Sequence, residues 1–236
     1  MKIGLAAYAF ENGDIAFNLH QIEKAMAAVS GKADLLCFGE TFLQGFDALT
    51  WQYERDKDVA VSQVSPVMEQ LKALTVQYGV DLLFGYVERD GERIYSSCAV
   101  IERGALLHNY RRISRGWKEY DITDGHYCEG TSTAPFLYRG RTVMIALCGD
   151  LWDFPERFAT DGLLIWPVYV NYDPEEWTAA AVEYAQQARL AARETLMVNS
   201  LSREPLPSYG GAFHFCDGAI AASVSLGRDE ILIVEV

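Results

Sequence analysis

Several things are missing from this 236-residue chain, and each absence removes a class of function. No apolar run approaches the 18 or more residues of a bilayer-spanning helix. The opening MKIGLAAYAFENGD lacks the basic, apolar and small-residue succession of a cleavable leader. A cytoplasmic protein with no membrane association is therefore expected. Positive charge is scarce: 20 Lys+Arg against 33 Asp+Glu give a formal net charge of −13, which disfavours a nucleic-acid partner. Neither GxGxxG nor GxxxxGK[ST] occurs, so no nucleotide cofactor is indicated. The four histidines (His20, His108, His126, His214) do not cluster and form no HExxH, and His126 with Cys128 lacks a third ligand nearby. Neither a metal nor a cofactor is expected. The five cysteines (Cys37, Cys98, Cys128, Cys148, Cys216) are odd in number and scattered, unlike a disulfide framework or a CxxC knuckle. Reduced thiols follow, and one of them is free to be reactive.

What is present is a chain of 50% hydrophobic and 22% charged residues, enough to bury a substantial core. No repeat, low-complexity tract or long linker divides it, so residues 1–236 are read as a single domain. Residues 2–9 read as a strand; Ile15, Leu19, Ile22, Met26 and Val29 then recur at helical spacing, closed by Gly31. DLLCF at 34–38 is a short apolar run, and Ser65-Pro66 opens a second helix carrying Val67, Leu71, Leu74 and Tyr78 before Gly79. Apolar runs at 80–87, 94–101, 105–110 and 142–147 make the middle strand-rich, followed by GLLIWPV at 162–168. Asp173-Pro174 starts another helix, with Trp177, Ala181, Tyr184, Ala188 and Ala191 along one stripe, and the tail from Leu196 to Val236 returns to strands. This order suggests sheets packed on each other with helices outside.

Three polar residues each end an apolar run: Glu40 after DLLCFG, Arg112 after ALLHNYR, and Cys148 after TVMIAL. Ligands in open α/β sheets bind beyond the carboxyl ends of strands, so a carboxylate, a cation and a thiol from distant positions can converge there. In IALCGDLWDFPE the small Gly149 permits a sharp turn and exposes backbone N–H groups, as a nucleophile elbow requires. Cys148 is equally compatible with a buried, inert thiol at a strand end. Glu40 is either a desolvated general base or the first residue of a solvated loop, and Arg112 has a surface ion pair as its alternative. Free cysteine, with a pKa of about 8.5, needs a base or a cation to react at neutral pH, and Glu40 and the cation are the candidates.

Taken in order, Glu in FGET, the basic pair in NYRRISRGWKEY and Cys in LCGDLWDFPE resemble the nitrilase (carbon–nitrogen hydrolase) superfamily, in its amidase-like branch. KIGLAAYAF, IWPV and a helix-like QQARLAARETLMVNS follow family order, with Asn199 where relatives often carry asparagine. The resemblance implies an α+β fold, a four-layer αββα sandwich whose protomers pair as homodimers or higher homo-oligomers. It also implies a Glu, Lys, Cys triad acting on small nonpeptide amides. Carried over by position, Glu40 is the base, Cys148 the nucleophile, Glu119 a second glutamate beside the triad, and Gly149 an oxyanion donor. The family lysine is here Arg112, with Lys118 six residues on as the other candidate. Arginine is a permanent cation that does not give up a proton. Trp117, Trp152 and Trp166 flank the site as pocket or core residues. The lysine replacement and a chain that stops after ILIVEV raise a second reading, a catalytically silent relative that binds a ligand or a partner.

Overall fold

A computed structural model describes residues 1–203 and 205–236. The first part of the chain folds as β1 (Lys2–Ala7), α1 (Ile15–Val29), β2 (Leu35–Cys37), α2 (Tyr53–Val59), α3 (Pro66–Tyr78), β3 (Asp81–Asp90), β4 (Arg93–Glu102) and β5 (Ala105–Arg111). The second part gives β6 (Phe136–Tyr138), β7 (Arg141–Ile145), α4 (Asp150–Asp153), β8 (Leu163–Val168), α5 (Pro174–Arg189), β9 (Glu194–Ser202), β10 (Ser208–Cys216), β11 (Ala219–Ser223) and β12 (Glu230–Glu235). The helices start where local chemistry satisfies their first N–H groups. Asp14 accepts from the Phe17 amide, Ser65 caps α3 ahead of Pro66, and Asp173 with Glu176 forms a reciprocal capping box on α5. Gly79 ends α3 in the left-handed region at φ +65°.

Two six-stranded sheets result, ordered β12-β1-β2-β3-β4-β5 and β11-β10-β9-β8-β7-β6. Each has three parallel strands at its heart, β1-β2-β3 in one and β7-β8-β9 in the other, flanked by antiparallel strands. Alternation along the strands assigns the faces. Leu5, Leu35, Cys37, Leu83 and Cys98 pack inward against the second sheet, while Leu36, Leu82, Phe84 and Ala99 pack outward beneath α1 and α3. On the second sheet Trp177, Ala181, Tyr184 and Ala188 of α5 close the opposite side. The layers are helix, sheet, sheet, helix, the expected αββα sandwich.

Two elements carry no sequence signal, and one expectation needs correction. α2 escapes a search for apolar periodicity because its one buried residue is a carboxylate, Asp56, which accepts from Thr50 and from the Tyr127 hydroxyl. β6 has only three residues, with Leu137 facing solvent. QQARLAARETLMVNS is not one helix: α5 stops at Arg189, and Thr195, Leu196, Met197 and Val198 form a fully buried strand beside β8. A continuous apolar run without a polar face suits a strand covered on both sides.

Candidate active site

Glu40 lies three residues beyond β2, and two glycines make room for it. A side chain at Gly39 would strike Ser200, and one at Gly85 would strike the backbone of Gly39 and Thr41. The Glu40 amide then donates across the sandwich to the Val168 carbonyl (3.2 Å), and the backbone turns at Thr41 with φ +47°. Cys148 occupies the equivalent place beyond β7, its amide donating to the Pro167 carbonyl (3.0 Å). Its φ of +40° is the left-handed geometry of a tight elbow, a conformation that costs a non-glycine residue about 1–3 kcal/mol and is held only by its surroundings. Part of that hold comes from Trp166, whose indole Nε1–H donates to the Cys148 carbonyl (2.9 Å). Arg112 follows β5 and extends its ladder by one bond, from its amide to the Ser96 carbonyl (2.9 Å).

These three strand ends meet. Arg112 Nη1 donates to Glu40 Oε1 at 2.8 Å, and both side chains are almost wholly buried. Ser96 Oγ donates to the same oxygen at 2.9 Å, whereas Glu40 Oε2 is buried with no partner among the described residues. The guanidinium is held on two further sides, Nε donating to Ser114 Oγ (2.8 Å) and Nη2 to the Arg115 carbonyl (2.9 Å). Of its five N–H groups, three are thus engaged and two have no partner among the described residues. Cys148 Sγ reaches the Tyr169 carbonyl at 3.8 Å. Burial first, and then the Glu40 charge, push the thiol up to about 12, with Arg112 pulling it back. The Glu40 charge therefore does not favour a preformed thiolate, and a carboxylate at this place can accept a thiol proton.

Residues the sequence did not single out build the frame. Asp150 is fully buried and accepts from four donors: the Tyr110 hydroxyl and the amides of Ile113 (3.1 Å), Ser114 (2.7 Å) and Leu147 (2.8 Å). It ties the Arg112 segment to the Cys148 segment. Burial raises its pKa, opposed by those donors and by Arg112. Asn199, placed by resemblance alone, grips both backbone groups of Val170 (2.9 and 3.0 Å) and so fixes the segment that carries the Tyr169 carbonyl. The only sequence signal for Asp150 was its place two residues after the cysteine.

The other candidates are dispersed. Lys118 directs its ammonium to the Tyr127 carbonyl and to Glu129 (3.1 Å), and Glu119 is an exposed loop residue. Trp152, on α4, packs against Trp166 and edge-on to Tyr184 of α5. Trp117 belongs to a small cluster with Leu49, Val87, Ile94 and Tyr127. Gly149 sits beside the guanidinium, immediately before α4.

With this geometry in place, comparison with known proteins is informative. A model of the carbon–nitrogen hydrolase family matches residues 2–150, well over half of the chain. The chain belongs to the carbon–nitrogen hydrolase family. This carbon–nitrogen hydrolase is 29% identical over 164 residues to an (R)-stereoselective amidase of Pseudomonas sp, covering 66% of the chain and 54% of that protein. It is 28% identical over 169 residues to a glutamine-dependent NAD(+) synthetase of Thermotoga maritima, covering 68% of the chain and 27% of that protein. The chain thus matches about half or less of the length of these curated relatives. Among solved structures, an amidase from Nesterenkonia sp. AN1 superimposes with a TM-score of 0.82 at 20% identity, covering 100% of this chain and 92% of that one. That similarity establishes a shared fold.

Proposed function

We propose that the protein hydrolyses the C–N bond of a small amide through a thioester at Cys148. The observation that carries this reading is the Glu40 carboxylate, buried and fixed through one oxygen by Arg112 and Ser96, with no donor to its other oxygen among the described residues and its charge felt by the Cys148 thiol. A buried carboxylate with an idle oxygen is unfavourable as a structural element and well suited to proton transfer.

In the first step Glu40 takes the thiol proton while Sγ attacks the carbonyl carbon, giving a tetrahedral oxyanion. Glu40 then delivers that proton to the amide nitrogen, the C–N bond breaks, and the amine leaves an acyl-thioester. Water next gives a proton to Glu40 as its oxygen attacks the thioester carbon. Collapse of the second oxyanion expels the sulfur, which regains a proton from Glu40. Arg112 stabilises both oxyanions with its two spare N–H groups, joined by the Gly149 amide, and it donates no proton because a guanidinium does not deprotonate. Lys118, held by Glu129, is not needed in this scheme. The similarity to the (R)-stereoselective amidase of Pseudomonas sp supports an amide as the substrate. Turnover of small primary amides tests the reading: Cys148→Ala should abolish it, and a Cys148→Ala protein that still hydrolyses a confirmed substrate would sink the mechanism.

A further inference from the structure

Position 149 is glycine for no reason that its own backbone supplies. Its φ of −61° and ψ of −13° are ordinary right-handed helical values that any L-residue adopts. What a side chain there would meet is Arg112. A Cβ on Gly149 would lie 2.6 Å from Arg112 Nη2 and 3.2 Å from Ser114 Oγ. An arginine tip normally swings aside, but this one is 3% exposed and held through Nη1, Nε and Nη2 by Glu40, Ser114 and the Arg115 carbonyl. Nor can the two segments separate. Asp150 accepts from the Ile113 and Ser114 amides on one side and from Leu147 on the other, clamping the backbones at this spacing.

Resting on the reading of Arg112 as the cation of the active site, we infer that Gly149 and Ser114 are positioning residues for that cation. The missing side chain at 149 creates the slot for the second guanidinium nitrogen, and Ser114 turns the guanidinium plane into the slot. The site is thereby built for a planar, forked cation. An ammonium at 112, which lacks the third nitrogen arm, does not need the slot.

The inference predicts coupling between positions 112 and 149, measured in the full chain by urea unfolding of wild type, Gly149→Ala, Arg112→Lys and the double variant. Gly149→Ala alone should lower the folding equilibrium constant by about tenfold or more, the ordinary penalty for overpacking a fixed site. In the Arg112→Lys background the same change should lower it by about threefold or less. Should Gly149→Ala fail to fold, recovery of a folded double variant supports the pairing, and failure of both overturns it. Equal losses in the two backgrounds also overturn it, since they assign glycine to the local turn alone. A second readout follows the function: Gly149→Ala and Ser114→Ala should each move the pH midpoint of Cys148 alkylation upward, because a displaced cation no longer favours the thiolate. An unchanged midpoint in both leaves no positioning role and overturns the inference. The unfolding cycle is independent of turnover, so a protein that hydrolyses no amide refutes the proposed function while the coupling stands or falls by itself.

Discussion

Arg111 and Arg112 are neighbours in the chain, and each is paired with a buried glutamate, yet the two pairs have opposite characters. Strand alternation sends them to opposite faces, and the adjacent strand repeats the division: Ser97 bonds Glu88 on the outer face and Ser96 bonds Glu40 on the inner one. Glu88 is saturated. Its two oxygens accept from Arg111 Nε and Nη2, Ser97, Asn109 and Gln63, all between 2.6 and 3.0 Å. Glu40 has the same kind of arginine and the same kind of serine, but one of its oxygens has no donor among the described residues, and it has a thiol for a neighbour. The contrast teaches that burial and an ion pair do not by themselves mark a catalytic carboxylate. Under the proposed function, incomplete satisfaction beside the Cys148 thiol is what sets Glu40 apart.

The comparison breaks most visibly on removal of charge from the glutamates. Glu40→Gln should reduce amide turnover by about 10³-fold, the ordinary contribution of a positioned general base. At the same time it should lower the Cys148 pKa, because the Glu40 charge is one of the causes that raise it. Steady-state rates and the pH dependence of Cys148 alkylation measure the two effects. A thiol made easier to ionise yet less able to turn over substrate is the signature of a base, whereas parallel loss or retention of both argues against one. On the outer face, Arg111→Leu should destabilise the fold by about 3 kcal/mol by leaving Glu88 uncompensated, read from urea unfolding, with the Cys148 alkylation profile unchanged. Arg111 is partly exposed, which keeps this loss toward the lower end for a broken buried pair.

How much of this was legible beforehand follows from the physics of each residue. Glu40, Arg112 and Cys148 could be found because each ends an apolar run, and a strand end is visible in one dimension. Helices α1, α3 and α5 announced themselves through stripes and caps. Lys118 was named as an alternative cation because it is near Arg112 in sequence, but its partner Glu129 lies on the far side of a turn that carries no periodic signal. Asp150 and Ser114 were not legible. Their roles exist only once two strands from different sheets lie side by side, and an aspartate two residues after a cysteine looks like an ordinary loop residue. The difference between Glu88 and Glu40 was likewise hidden, because the donors that saturate Glu88 come from four separate positions, Gln63, Ser97, Asn109 and Arg111.

A subtler separation of the two pairs uses acid. Burial alone would raise the Glu88 pKa, but Arg111, Ser97 and Asn109 outweigh it and hold it below the usual carboxylate range. A folded-state value below the unfolded value of about 4.3 means that this stabilisation is complete above that pH and is lost as pH falls through the lower folded value. Glu88→Gln should therefore flatten the acid limb of the stability profile below about pH 4.3, measured by urea unfolding across pH. A limb as steep as that of the wild type would assign the acid sensitivity elsewhere.

The smallest test compares the two serines. Ser96→Ala and Ser97→Ala each delete one hydroxyl that donates to a buried carboxylate, and each should destabilise the fold by about 1.5 kcal/mol, the value of a hydrogen bond to a charged group. Their effects on rate should diverge. Glu88 keeps four other donor bonds without Ser97, so turnover is unchanged. Glu40 without Ser96 is left with Arg112 as its one described hydrogen-bond donor, so the carboxylate is free to rotate about that contact. Turnover should fall by about tenfold with little change in KM, since the hydroxyl aims the base and does not touch the substrate. Equal rates for the two variants would mean that the Arg112 contact alone aims the carboxylate.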